Sequence, residues 1–281
     1  MAGSGSVTQS ATSLFQTTGA TGTIRVLGQV DVTVGDIVSA TGTVSVTATT
    51  GNILDADPLL AGPADDADID VTANKLRLFA GTGVGQNTNH LETTVGTVSA
   101  RATSGGIYLR ETDALIVDDV GLSVNRVGSD GTTGTGSSTD ALQSDVRTTA
   151  GNGNIVIRSN GGTITLNDGT ATADDTGVSA NGTGNVLLEA IGAGTDVVAN
   201  VDVASGSGNV SVLGARDVKF TGTADILTTS TAAGSGSIDV MAGSGSVTQS
   251  ATSLFQTTGA TGTIRVLGQV DVTVGDIVSA T

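Results

Sequence analysis

Residues 208–212 read Gly208-Asn209-Val210-Ser211-Val212, which is a glycine, an asparagine, a β-branched residue, any residue and an apolar residue. Versions of this motif, with Thr, Asn or Ser in second place, begin at Gly22, Gly42, Gly153, Gly162, Gly184 and Gly236. Apolar residues that alternate with polar ones are typical of a strand with one buried face, and β-branched residues suit the pleat. Glycine beside Asn, Ser or Thr supplies turns. The motif therefore predicts short strands that are joined by tight turns.

The spacing of the motifs restricts the architecture, because several successive copies lie 20, 31, 24 or 28 residues apart. Two all-β architectures fit: a parallel β-solenoid (β-helix), with two or three short strands in each turn, and a string of immunoglobulin-like sandwiches. We favour the solenoid because a sandwich usually buries a large aromatic residue, whereas this chain contains no tryptophan. Val210 and Val212 should then point inward beside Val186 and Leu188 of the preceding turn. Turns of about 22–26 residues would give about 9–11 turns in 240 residues.

The chain also contains a much longer repeat, with a period of 240 residues, since residues 241–281 are identical to residues 1–41. Residues 1–240 are therefore one full repeat unit, and residues 241–281 start the next unit. We expect one continuous β-solenoid, because the glycine motifs run from Gly236 across the boundary to Gly262 without a linker. Met1 is equivalent to the internal Met241, so we also expect the two ends to be cuts within a longer polypeptide.

Two segments interrupt the strand pattern. Residues 54–70 hold both prolines and six aspartates, and residues 128–152 are polar and rich in glycine. Proline cannot donate to a strand ladder, so it belongs outside a sheet. We predict that both segments are loop insertions that leave the solenoid.

Composition excludes several classes of protein. The 281 residues include 27 acidic and 11 basic ones, and the net charge of −16 opposes binding to nucleic acid. The absence of cysteine excludes disulfide frameworks, zinc fingers and cysteine nucleophiles. No apolar run approaches the ~18 residues that a membrane-spanning helix needs, so we expect no membrane insertion in this segment.

The G-N-[IV]-x-[VL] motifs resemble those of filamentous-haemagglutinin-type exoproteins. The whole unit is more similar to the β-strand-repeat regions of giant bacterial surface proteins, as in DVTANKLRLFAGTGVGQNTNHLETTVGTVSA (70–100) and GGIYLRETDALIVDDVGLSVNRVG (105–128). The resemblance implies an exported bacterial polypeptide of great length, a parallel β-helix and an adhesive or structural role. It carries over no catalytic residue. The chain departs from this pattern in one respect, because such arrays usually diverge between copies, whereas these 41 residues are identical.

The acidic segment is the sharpest candidate for ligand binding, because carboxylates at short spacing are the oxygen donors that calcium prefers. Its members are Asp55, Asp57, Asp65, Asp66, Asp68 and Asp70. Neither the EF-hand spacing nor the glycine-rich calcium nonapeptide of β-helices is present. We therefore favour a solvated loop and keep a calcium site as the alternative. Asp118-Asp119 and Asp174-Asp175 are weaker versions of the same pattern.

Catalysis is not predicted. His90 is the only histidine and could belong to a Ser–His–Asp triad, but no G-x-S-x-G elbow accompanies it, so we place it at a loop or at the edge of a turn. Some β-helices cleave polysaccharides with clustered carboxylates and basic residues, yet this chain has only three glutamates, two lysines and no basic cluster. We predict that the protein is not an enzyme, and we assign no catalytic, cofactor-binding or metal-binding residue.

These observations predict that function depends on the repeat array as a whole rather than on a local binding or catalytic site. We expect a structural repeat segment of a long extracellular filament or stalk, part of a giant adhesin-like protein at the bacterial cell surface. The alternatives are an adhesin module that binds a glycan or a protein partner through the two insertions, and a tandem immunoglobulin-like surface array. Solenoids of this kind could also associate with one another into filaments or bundles.

Overall fold

The protein is an all-β parallel solenoid, as a computed structural model that describes residues 4–19, 21–57 and 68–279 shows. This confirms the predicted fold class. Strands of successive turns pair in parallel, for example at Val186 and Val210. The immunoglobulin-like alternative, which is built from antiparallel sheets, is therefore wrong. The described residues contain no helix of the length and apolarity that crossing a bilayer requires.

Strands β1 to β13 form the first five turns and one hairpin. They are β1 (Val7–Thr8), β2 (Leu14–Gln16), β3 (Thr23–Gly28), β4 (Val32–Val34), β5 (Asp36–Ala48), β6 (Ile53–Asp55), β7 (Val71–Ala80), β8 (Leu91–Ala102), β9 (Ile107–Glu111), β10 (Leu115–Val117), β11 (Val120–Val127), β12 (Thr133–Gln143) and β13 (Val146–Thr148). The hairpin consists of β11 and β12, which pair antiparallel between β10 and β13.

The last five turns are more regular, with three strands in each. They are β14 (Ile155–Ser159), β15 (Ile164–Leu166), β16 (Thr176–Ala180); β17 (Val186–Ala190), β18 (Val197–Ala199), β19 (Asp202–Ser205); β20 (Val210–Gly214), β21 (Val218–Phe220), β22 (Ile226–Thr229); β23 (Ile238–Ala242), β24 (Val247–Gln249), β25 (Leu254–Thr258); β26 (Ile264–Leu267), β27 (Val272–Thr273) and β28 (Asp276–Ser279).

One column of stacked residues runs the full length of the solenoid. Its ten members, one for each turn, are Val7, Val32, Ile53, Val84, Ile107, Ile155, Val186, Val210, Ile238 and Ile264. Val210 and Val212 are buried beside Val186 and Leu188, which confirms the predicted inward positions. The apolar core is thus a continuous stack of like residues along the axis.

The repeat unit does not contain a whole number of turns. Val7 begins the column that ends at Ile264, whereas its sequence copy Val247 lies in the next column, between Val218 and Val272. From Val7 to Val247 the chain makes eight turns plus one strand of three. The predicted 9–11 turns are wrong, because the β11–β12 hairpin lengthens the turn between Ile107 and Ile155.

The glycine motif follows from how the turns stack at one corner. The Asn154 Oδ1 accepts the Asn185 backbone N–H at 2.9 Å, and the Asn185 Oδ1 accepts the Asn209 N–H at 2.8 Å. The preceding glycines also lie on one another, so that a Cβ on Gly208 would come within 2.0 Å of the Gly184 carbonyl oxygen. Glycine therefore permits the close approach of the turns, and asparagine satisfies the backbone of the next turn.

The hairpin lies on the outside of the solenoid, and we call residues 120–143 the clasp hairpin. It replaces part of the loop predicted over residues 128–152, and β13 within that segment returns to the large sheet. β11 packs against β3, β5 and β7, so the hairpin reaches back over the first turns. Of the predicted insertion 54–70, residues 58–67 lie outside the described residues.

Candidate functional site

The two described ends of the acidic insertion lie next to each other. Asp55 ends β6, Asp57 follows it, and Asp70 directly precedes β7. One carboxylate oxygen from each lies within 4.8 Å of the others. The solenoid produces this cluster, because β6 and β7 belong to the same turn and the end of β6 lies beside the start of β7.

Hydrogen bonds hold the cluster. The Asp57 backbone N–H donates to Asp55 Oδ1 at 2.7 Å, and Asn89 Nδ2 donates to Asp55 Oδ2 at 2.6 Å. The Glu92 backbone N–H donates to Asp70 Oδ2 at 2.8 Å. Burial and the adjacent Asp55 carboxylate raise the pKa of Asp70 far above its usual range. A cation at this position would therefore compete with the proton that the raised pKa favours on Asp70.

Asp55, Asp57 and Asp70 are the described residues that could hold a metal ion. Calcium takes six to eight oxygen ligands, roughly twice the number of carboxylates in the cluster. Asp68 is exposed and lies outside the cluster, and Asp65 and Asp66 fall outside the described residues. The arrangement brings together part of the predicted acidic set, and calcium binding stays a hypothesis.

The two weaker acidic pairs make contacts between turns. Asp119 accepts from the Thr170 backbone N–H at 2.7 Å and from its hydroxyl at 2.5 Å. Asp174 pairs with Arg147 at 2.9 Å, and Asp175 accepts from Thr223 at 2.9 Å. Their carboxylates accept hydrogen bonds from residues of other turns, which is a structural role.

His90 lies outside the strands, at the predicted loop position, and its side chain is buried. It directly precedes β8, and its ring stacks on that of Tyr108 with centroids 5.9 Å apart and planes 9° from parallel. The stacking arises because His90 and Tyr108 lie on neighbouring turns. No sequence pattern indicated this contact, since His90 and Tyr108 belong to no repeated motif.

Both ends of the solenoid expose apolar side chains. We call Val270, Val272, Val274 and Ile277 the C-terminal end face, and Leu14 and Phe15 the N-terminal end face. In the opposite copy of the repeated segment, the residues equivalent to Val272, Val274, Ile277 and Phe15 are buried. Each of these residues is therefore covered in the copy where a further turn packs against it.

Sequence reasoning missed the clasp hairpin and its ion pair. Asp140 accepts from Arg25 Nε at 2.9 Å and Nη2 at 2.6 Å, and from the Ser45 hydroxyl at 2.7 Å. Burial raises the pKa of Asp140, but the donors Arg25 and Ser45 outweigh it, so the pKa is lowered overall. Arg77 Nε donates to the Ala141 carbonyl oxygen at 3.1 Å. The hairpin is thereby fixed to the outer face of three consecutive strands.

Two buried carboxylates were also missed. Glu111 is fully buried and accepts from the Thr93 hydroxyl at 2.7 Å and from the Val95 N–H at 3.1 Å. Burial nevertheless raises the pKa of Glu111 to about 8. Asp145, where the chain returns from the clasp hairpin, has a left-handed backbone with φ of 66°, and burial raises its pKa to about 7. Neither residue follows a motif, so only the fold identifies them.

Comparisons of the chain with protein-family models, with curated proteins and with solved structures found no match. The case for a function therefore rests on the geometry of the solenoid, on the two environments of its repeated segment and on its charge.

Proposed function

We propose that the chain is a structural repeat segment of a long extracellular filament or stalk, part of a giant adhesin-like protein at the bacterial cell surface. Its function is mechanical: it acts as a spacer and support within the filament or stalk, and it catalyses nothing. The resemblance of its motifs to the strand repeats of giant surface proteins supports the extracellular place. Backbone pairing between every two turns supports a stiff rod.

One observation carries the proposal: the same 41-residue segment packs at both ends of the solenoid, through opposite faces. In the first copy, Ile24 pairs with Val44 of the following turn. In the second copy, the equivalent Ile264 pairs with Ile238 of the preceding turn. Taken together, the two copies describe a segment with neighbours on both sides, which is the geometry of an uninterrupted array.

Charge supports a soluble rod. Residues 241–281 carry Arg265, Asp271 and Asp276, so the net charge of −16 leaves −15 for one 240-residue unit. Successive units of the same sign repel one another, which opposes collapse of a long array. Paired charges such as Arg158 and Glu189, 2.7 Å apart on adjacent turns, lie along the outer surface.

The extracellular place is tested on the source cells. Antibodies against this solenoid should label intact cells, and protease added outside should remove the label while an internal marker protein survives. Labelling that requires permeabilised cells would contradict the proposal.

A hollow beside the clasp hairpin favours a second candidate function, an adhesin module for an acidic glycan. It has a volume of about 440 Å³ and is lined by Arg25, Leu27, Val124, Asn125, Arg126 and Ser138. Arg25 is held by Asp140, so Arg126 is the guanidinium that a carboxylate or a sulfate of a sugar would contact in this hollow. Binding of an acidic oligosaccharide that Arg126→Ala abolishes would support this candidate, and absence of binding to a glycan panel would oppose it.

A further inference from the structure

The clasp hairpin crosses the outer face of the solenoid toward the first turn. Near its base, Gln143 Nε2 donates to the Leu78 carbonyl oxygen of β7 at 3.0 Å. Nearer its tip, Asp140 binds Arg25 of β3. The hairpin therefore passes from β7 to β3 between these two contacts, and residues 133–139 of β12 continue toward the tip. Seven extended residues measure about 23 Å, which is the height of roughly four turns.

The hollow beside the clasp hairpin lies where the hairpin passes β3. Arg25 and Leu27 of β3 form its solenoid side, and Val124 and Arg126 belong to its hairpin side. Beyond this point the hairpin is exposed, with Val127 61% accessible to water. Because β5 and β7 lie on the other side of β3, the hollow faces the position of a preceding turn.

The second copy of the repeated segment shows which residues occupy that position. β26 is the copy of β3, and it pairs in parallel with β23 of the preceding turn. Asp239 of β23 lies beside Arg265, the copy of Arg25, and Met241 lies beside Leu267. β23 crosses the boundary between units, since Met241 is the first residue of the next unit.

This neighbour can be transferred to the first copy because the two copies share their internal pairing. Val7 pairs with Val32 in the first copy, as Val247 pairs with Val272 in the second. The pairs that follow are equivalent as well, with Phe15 on Ile37 and Phe255 on Ile277. In an array, β23 of one unit therefore precedes β3 of the next unit.

We infer that, in the repeat array, the clasp hairpin of each unit docks on the end of the preceding unit and thereby spans the joint. Asp239 of the preceding unit enters the hollow, between Arg25 and Arg126 of the following unit. At such a joint, the Asp239 carboxylate takes the place that an acidic sugar would take in the second candidate function. The inference rests on the continuous array proposed above.

The charges favour Asp239 as the occupant. Arg25 binds Asp140 through Nε and Nη2, and Arg265 binds Asp239 through the same two nitrogens. In an array, Asp140 and Asp239 therefore compete for one edge of the arginine that they share. Arg126 supplies a second guanidinium at this place, so both carboxylates can be paired.

Apolar side chains favour the same contact. Leu213, Met241 and Ile191 line a shallow groove on the outer face that includes β20 and β23, and Ile191 is 40% exposed. Val124 and Val127 of the clasp hairpin offer apolar surface of matching length. Docking would remove both surfaces from water, which stabilises the joint.

The test uses single thiols, because the chain contains no cysteine. Met241→Cys, which keeps Asp239, is introduced at position 241 of the 281-residue chain and of a chain that continues for one more unit. We expect the thiol to react with a maleimide at least about tenfold more slowly in the longer chain, because the clasp hairpin of the second unit covers it there. Thr165→Cys, on β15 of another face, should react equally in both chains.

Two changes in the second unit identify the cover. Replacement of residues 125–137 by an Asn-Gly turn joins the paired residues Val124 and Ser138 and should restore the fast reaction at position 241. Arg126→Ala should restore it in part, because the Asp239 carboxylate loses one of its two partners. Protection at position 241 that survives the shortened hairpin would overturn the inference.

Ile277→Cys reports on the continuous array separately. The equivalent Ile37 is fully buried by the turn that follows it, so the thiol at position 277 should be protected in the longer chain. Equal rates at position 241 in both chains, together with protection at position 277, would overturn the inference and leave the array intact. A thiol at position 277 that stays reactive in the longer chain would overturn both.

Discussion

Residues 1–41 and residues 241–281 have one sequence and two environments. Ile37 is fully buried and its copy Ile277 is 42% exposed, while Phe15 is 39% exposed and its copy Phe255 is fully buried. The first copy packs on the turns that follow it, and the second packs on the turns that precede it. A residue in a solenoid is therefore buried where a neighbouring turn packs against it. Each segment has two such faces along the axis, one toward the preceding turn and one toward the following turn.

The largest expected effect compares the two isoleucines. Ile37→Asp buries an unpaired charge between two turns and should lower the free energy of unfolding by about 4 kcal/mol. Ile277→Asp meets water and should cost under about 1 kcal/mol. Urea unfolding followed by circular dichroism measures both, and hydrogen exchange locates the damage. Equal effects at the two positions would show that the copies do not differ as described.

The phenylalanines should show the opposite order. Phe255 packs edge to face against Phe220 with ring centroids 4.8 Å apart, so Phe255→Ala leaves a cavity and should cost about 3–4 kcal/mol. Phe15→Ala removes a partly exposed ring and should cost under about 1 kcal/mol. The same unfolding measurement applies. A larger loss for Phe15→Ala would reverse the assignment of the covered and uncovered faces.

These contrasts show how far the sequence could predict the fold. The alternation at Val210 and Val212 identified the inward residues, because a period of two has one physical meaning in a strand. The glycine-asparagine motif identified turns, and the exact repeat identified two copies of one 41-residue segment. The sequence did not reveal that one repeat unit makes eight turns plus one strand, since this number depends on how many residues each turn places outside the coil.

The candidate site was less predictable. The acidic pattern singled out six aspartates between residues 55 and 70, yet only the fold shows that Asp55, Asp57 and Asp70 meet. The Arg25–Asp140 pair joins residues 115 positions apart, and no local signal connects them. The clasp hairpin was hidden because its polar, glycine-rich residues are also typical of a loop.

The arginines give a third contrast between the copies. Arg25→Ala leaves Asp140 buried without its bidentate partner and should lower the free energy of unfolding by about 2–3 kcal/mol. Arg265→Ala breaks an exposed pair with Asp239 and should leave the free energy of unfolding almost unchanged. Thermal unfolding of the single variants, and of Arg25→Ala with Asp140→Ala, measures the coupling. An additive double variant would mean that the ion pair does not fix the clasp hairpin.

Glu111, in the interior between the two copies, should make stability depend on pH. Its pKa rises from an ordinary 4.5 to about 8 in the folded state, chiefly through burial. Its contribution is therefore fully present below pH 4.5 and is lost as the pH rises through about 8. We expect Glu111→Gln to reduce the loss of stability between about pH 5 and pH 8 by at least about 1 kcal/mol. Parallel slopes for the two proteins would show that Glu111 titrates normally.

The smallest expected effect concerns calcium, at an insertion that neither copy of the repeated segment contains. We expect a chelator to change the melting temperature by less than about 2 °C, because three clustered carboxylates supply only part of a calcium site. Asp57→Asn should behave as the unsubstituted chain does in this comparison. A calcium-dependent rise of about 10 °C or more, which Asp57→Asn abolishes, would establish a calcium site instead.

The central claim is that the solenoid continues from one repeat unit into the next, so that neighbouring turns cover both faces of the repeated segment. The length that each repeat unit adds tests this claim most directly. Chains of one, two and three units can be compared by small-angle scattering and electron microscopy. Eight turns plus one strand, at about 4.8 Å per turn, predict a smooth rod that grows by about 40 Å per unit, with clasp hairpins about a third of a turn apart. Beads joined by flexible linkers that grow by about 80 Å per unit would contradict a continuous solenoid.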